Sequence, residues 1–112
     1  MIHGWFVQPR PFVRGPLPRR ALEARIAELL GQLGAWVGAL PFAGLASLSF
    51  TVDRRGNVSG LRTLSDTTRV PAAEEPHRRS LVRRILAAVR AWRFPPQRAP
   101  SAVTFPLVFE RG

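Results

Sequence analysis

The sequence predicts an α+β domain of order α-β-β-α-β, a three-stranded antiparallel sheet (strand order 2-1-3) with two helices on one face. Three observations predict it. Leu48, Phe50 and Val52 alternate with Ser49, Thr51 and Asp53, the period of a half-buried strand, and lead into the tight turn Asp53-Arg54-Arg55-Gly56-Asn57. Two stripes of apolar residues at three- and four-residue spacing flank this hairpin, one on each side in the chain. The second stripe ends on Trp92-Arg93-Phe94-Pro95-Pro96, where the prolines forbid the helix to continue, and an alternating segment follows.

Taken in order, residues 1–19 hold four prolines and no periodicity, and read as a proline-rich extended arm ahead of a domain at 20–112. The first helix begins near Arg20, with Leu22, Ile26, Leu29, Leu30, Leu33, Trp36 and Val37 as its apolar stripe. Gly38 and Pro41 stop it. Residues 29–52 carry no charge, long enough to span a bilayer, but four glycines and Pro41 favour the end of a helix, a turn and an inner strand. In the return strand, Val58 and Leu61 lie three apart and cannot share a regular face. A bulge at Gly60 would restore Leu61 and Thr63 to the inner side. Glu74-Glu75-Pro76 opens the second helix, His77 to Trp92, where carboxylates suit the positive end of the helix dipole. Its stripe is Leu81, Val82, Ile85, Leu86, Val89 and Trp92. The last strand, Ala102 to Phe109, puts Val103, Phe105, Leu107 and Phe109 on one face. Pro106 inside it implies a sheet edge. A right-handed crossover from the return strand places this last strand beside the first strand of the hairpin.

A chain of 112 residues supports one modest core. All seventeen basic residues are arginine, and the net charge of +10 favours anionic partners through attraction that salt weakens. With no cysteine there is neither disulfide nor thiolate metal site, and the compartment stays open between periplasm and cytosol. Residues 1–20 give no expectation of a cleavable leader. Catalysis is poorly supplied: His3 and His77 are the two histidines, and the seven carboxylates form no metal or acid–base motif. Ser65, Asp66 and His77 read as a solvated loop and a helix start rather than a nucleophilic set. No catalytic residue, metal ligand or cofactor is expected, and the chain reads as a non-enzyme. The helix face carrying Arg79, Arg83 and Arg90 is the candidate for anionic contacts, and supports an alternative reading as a small basic nucleic-acid-binding protein. Peripheral attachment of the arm to an anionic membrane is a third reading.

The ordered set "FTVDRRGNVSGLRTLS", "AVRAWRFPP" and "VTFPLVFERG" resembles the C-terminal domain of TonB, and is closer in style to the TonB-like domains of gliding-motility proteins. The resemblance covers about residues 26–112. Phe50 and Val52 match the apolar pair of the first strand, Gly56 the hairpin glycine, and Val58, Leu61, Thr63 and Ser65 the return strand. Trp92, Arg93, Phe94 and Pro96 match the helix ending, and Phe109 belongs to the terminal strand motif. The resemblance implies a periplasmic or inner-membrane-associated protein-interaction domain in energy transduction, transport or motility. Its partner would be an envelope protein, an outer-membrane transporter or a motility or secretion complex. An extended segment of that partner would pair with the exposed final strand by β-augmentation, at Ala102, Val103, Thr104, Phe105 and Val108. A second copy of the chain could pair there too, as a homodimer. Two departures qualify the match: no amino-terminal membrane anchor precedes the domain, so force transduction would need a longer protein, and Pro106 interrupts the recruiting strand.

Overall fold

The structure is a computed structural model that describes residues 4–7, 11–37, 44–66, 68 and 70–111. In chain order the elements are β1 (Gly4–Val7), β2 (Phe12–Arg14), α1 (Arg19–Val37), β3 (Gly44–Val52), β4 (Val58–Asp66), a 3-10 turn (Ala72–Glu74), α2 (Glu75–Arg90) and β5 (Ser101–Arg111). They form one antiparallel sheet of five strands, in the order β1-β5-β3-β4, with β2 also paired to β5.

This corrects the expected three-stranded sheet. The arm at 1–19 contributes two strands, so the C-terminal strand is an inner strand rather than the edge. The physical reason is backbone satisfaction. β5 runs for eleven residues, and an uncovered side of that length leaves a row of N–H and C=O groups unpaired. Short pieces of the arm, one ahead of Pro9 and one between Pro11 and Pro16, take those bonds.

The core lies between the sheet and the helices. α1 buries Leu22, Ile26, Leu29 and Leu33, and α2 buries Leu81, Ile85 and Val89 at strict four-residue spacing. Against them β3 sets Ala46, Leu48, Phe50 and Val52, and β5 sets Val103, Phe105 and Leu107. Trp92 and Phe94 close this core where α2 ends. The Trp92 ring meets Phe50 edge-on at 6.0 Å, Phe94 at 6.2 Å and Phe105 at 6.2 Å. Both aromatics are therefore packing groups, unavailable for stacking on bases. Arg25 of α1 donates through Nε and Nη2 to the Arg93 carbonyl at 3.2 and 2.9 Å, tying the first helix to the end of the second.

Gly56 completes the β3–β4 turn at φ +88, and its N–H donates to the Asp53 carbonyl at 3.0 Å. A Cβ there would fall inside the Phe94 carbonyl, whose residue also donates its N–H to the Gly56 carbonyl at 2.9 Å. The glycine thus serves the turn and the passage of the chain from α2 to β5. The β3–β4 ladder shifts register twice, between Ser49 and Thr51 opposite Gly60, and between Ser47 and Leu48 opposite Leu64. Val58 and Leu61 pack against the core, as a bulge at Gly60 allows.

Candidate functional site

β5 is the strand on which the sequence reading places partner binding, and its two sides are now distinguishable. Toward β3 it pairs without interruption over nine positions, from Ser101 opposite Val52 to Phe109 opposite Gly44. On the other side it is covered in two pieces. Ala102, Val103 and Thr104 face Arg14, Val13 and Phe12 of β2, while Val108 to Arg111 face Val7 to Gly4 of β1. Four of the five expected partner-binding residues, Ala102, Val103, Thr104 and Val108, thus have arm residues opposite them. Phe105 lies between the two covered stretches, and its side chain is fully buried. The exposed edge expected at Ala102 to Phe109 is corrected in that sense: the chain's own arm lies along it.

The face of this strand turned away from the helices is shallow and polar. Buried Ser101, Val103 and Phe105 alternate with Ala102 and Thr104, which lie in rows with Thr51 and Ser59 and with Ser49 and Arg62. Phe12, opposite Thr104, stands 62% exposed at the end of its row.

The arm is anchored where it approaches α1. Leu17 is buried, and its N–H donates to the Ser101 hydroxyl at 2.9 Å. That hydroxyl donates in turn to Gln97 Oε1 at 3.2 Å, so Ser101, with no exposed surface, has both its roles filled. Gly15, at φ +133, fits against the same residue. A Cβ at Gly15 would stand 2.6 Å from Ser101 Oγ and 2.8 Å from its Cα. Val13, opposite Val103, packs against the core. None of these latch residues was singled out from the sequence, where a glycine between prolines and an isolated serine carry no periodic signal.

The opposite end of the sheet carries an ion-pair cluster. Arg78 donates through Nη1 to Asp66 Oδ2 at 3.0 Å and through Nη2 to Glu75 Oε1 at 2.6 Å. Asp66 Oδ1 also accepts the Thr68 N–H at 3.0 Å and the Thr68 hydroxyl. Burial alone would raise the Asp66 carboxyl, but the Thr68 and Arg78 hydrogen bonds outweigh it and hold the carboxyl below its ordinary value. The Arg78 hydrogen bond lowers Glu75 as well, and the Glu75 carboxylate in turn raises Arg78.

Of the candidate anionic contacts, Arg79 lies 3.5 Å from Glu75 and is 71% exposed, and Arg83 and Arg90 are exposed along α2. Arg84 stacks on Trp36, 5.5 Å from the ring centre. Arg78, Arg79 and Arg83 line an open depression with Val82 and the Asp66 carboxylate. The cavity between β4 and α2, lined by Leu48, Thr63, Val82, Ile85 and Leu86 among others, is about 10 Å³, room for no more than one water. Among the described residues no group of histidines and carboxylates could hold a metal, and no helix is long and apolar enough to cross a membrane. Comparison with protein-family models, with curated proteins and with solved structures finds no match to this chain.

Proposed function

We propose that this chain is a protein-interaction domain of TonB type, which binds an extended segment of an envelope partner along β5 by strand addition. It would work on the periplasmic side, as part of energy-transduction, transport or motility machinery. One observation carries the reading: the outer side of β5 accepts extended, antiparallel segments, since two pieces of the arm pair there in register. Main-chain hydrogen bonds would supply affinity and alternate side chains selectivity. The helix–hairpin–helix–strand arrangement with Trp92 and Phe94 inside the core agrees with the motif set that suggested the family resemblance.

Photo-crosslinking in an envelope fraction tests it. A photoreactive residue at Thr104 or Glu110 of β5 should give protein adducts that a synthetic extended peptide competes away, and the same residue at Ser59 of β4 should give none. Adducts from Ser59 alone would move the site to the other edge, and no adduct from either strand would end the strand-addition reading. The nucleic-acid alternative draws on the exposed Arg79, Arg83 and Arg90. It is weakened because Arg78 and Arg79 have carboxylate partners. A steep loss of DNA affinity with salt, reduced by Arg83→Ala and Arg90→Ala, would favour it instead.

A further inference from the structure

The arginines are not spread evenly through the fold. Residues 14–23, 53–57 and 90–101 hold eight arginines against two carboxylates in 27 residues, while the other 85 hold nine against five. Arginine is nearly three times as dense in these segments at a similar carboxylate density, so a general bias toward arginine does not account for it.

The topology brings the three segments to one end of the sheet. Ser101, at the start of β5, lies opposite Val52, at the end of β3. The β3–β4 turn that follows carries Arg54 and Arg55, both exposed. The chain leaving α2 is stitched onto this turn: the Phe94 N–H donates to the Gly56 carbonyl and the Gln97 N–H to the Arg54 carbonyl, both at 2.9 Å. Those bonds fix exposed Arg90, Arg93 and Arg98 beside the turn. The Leu17–Ser101 hydrogen bond brings in the start of α1 with exposed Arg19 and Arg20, and Arg14 lies opposite Ala102.

These charges are not neutralised within the chain. Among the described residues none of the eight arginines pairs with a carboxylate, whereas Asp66, Glu74 and Glu75, at the other end of α2, each hold a basic side chain. Asp53, the carboxylate of the turn, accepts the Arg55 and Asn57 N–H groups instead. Clustered like charges repel, so backbone bonds that hold them together present them to an anionic partner. The aromatic rings of these segments, Trp92 and Phe94, are buried, leaving nothing in them for a base to stack on. What remains is a blunt end made of a turn, a helix start and exposed Pro18, Pro95, Pro96 and Pro100. Such an end meets a flat plane of phosphates, which arginine forks pair in bidentate fashion.

We propose that this arginine-rich end docks the domain on the surface of an anionic phospholipid bilayer, with the strands of the sheet leading away from it. The proposal is independent of the strand-addition reading, which concerns the flank of β5 rather than the end of the sheet.

Flotation of the full chain with vesicles tests it. Vesicles of phosphatidylcholine with about one third phosphatidylglycerol should retain the chain, vesicles of phosphatidylcholine alone should not, and added salt should release it. The triple variant Arg54→Gln, Arg55→Gln, Arg98→Gln should bind about a hundredfold more weakly. Arg62→Gln, Arg79→Gln, Arg83→Gln removes the same charge elsewhere and should weaken binding less than about threefold. A second measurement uses the wild-type chain: spin-labelled lipid in the anionic vesicles should broaden the amide signals of residues 54–57 and 93–101 and spare those of Asp66 and Arg78. A DNA oligonucleotide is the counter-probe. Loss of affinity that is equal in the two triple variants, broadening centred on Arg79 and Arg83, or failure of the anionic vesicles to retain the wild-type chain, with or without binding of the DNA, would each overturn the proposal.

Discussion

The sheet has two flanks, and they are protected by opposite means. β4 has a ladder partner on one side only among the described residues, yet it is a poor template. It carries two register shifts, Gly60 at φ +62, an exposed Arg62 and an end tied into the Asp66–Arg78 cluster. β5 is the reverse: eleven residues, paired with β3 over nine positions without a shift. A broken edge discourages pairing by its own shape, whereas a regular one must be covered. The arm supplies that cover in two short pieces. The difference teaches that a regular flank is protected by covering it and an irregular one by its own shape.

The largest expected loss lies beneath both flanks. Trp92→Ala should cost about 3–5 kcal/mol in a denaturant titration, because the ring packs on Phe50, Phe94 and Phe105 at the middle of the core. A loss under about 1 kcal/mol would mean the two flanks do not share one core.

Next come paired glycine substitutions, one for each flank. Gly15→Ala introduces both a strained φ and a clash with Ser101, and should cost about 1–3 kcal/mol, with the loss limited to whatever free energy the latch contributes. Gly60→Ala meets open space and pays only for its positive φ, about 1 kcal/mol. Faster amide exchange in β2 should accompany the first substitution and be absent from the second. The reverse pattern would break the comparison. Ser101→Ala, which strands the buried Leu17 N–H, should cost about 1–2 kcal/mol and also loosen β2.

Acid gives the smallest and most local effect, at the β4 end. Asp66 titrates below its ordinary value of 3.8 in the folded chain, so its contribution is fully present above that pH and is lost as pH falls through the lowered value. Below about pH 4, NMR signals of Thr68 and Arg78 should shift while β2 amides keep their exchange rates. If the arm loosens first, the cluster does not guard the β4 flank.

Much of this architecture could be read from the sequence. The helices appear as stripes because four-residue spacing at Leu81, Ile85 and Val89 has no other simple meaning, and the hairpin appears because Gly56 follows a clean alternation. The arm's part in the sheet was hidden. Trp5, Phe6 and Val7 form a short apolar run without alternation, and Phe12-Val13-Arg14 offers three residues bounded by proline and glycine. Prolines at 9, 11, 16 and 18 signal extended chain but not where it lies. Strands this short take their structure from the long partner beside them, so the information resides in β5 and in its need for cover. The residues expected to bind a partner were legible as a strand. Their occupation by the arm was not.

Residue-resolved hydrogen exchange on the full, unliganded chain tests the central claim most directly. The account predicts two levels: amides of the arm strands Gly4–Val7 and Phe12–Arg14 exchanging by local opening, and those binding β5 to β3 only with global unfolding. If the amides of β1 exchange together with the β3–β5 ladder, the arm is a permanent strand of the sheet and β5 offers no site for a partner to enter.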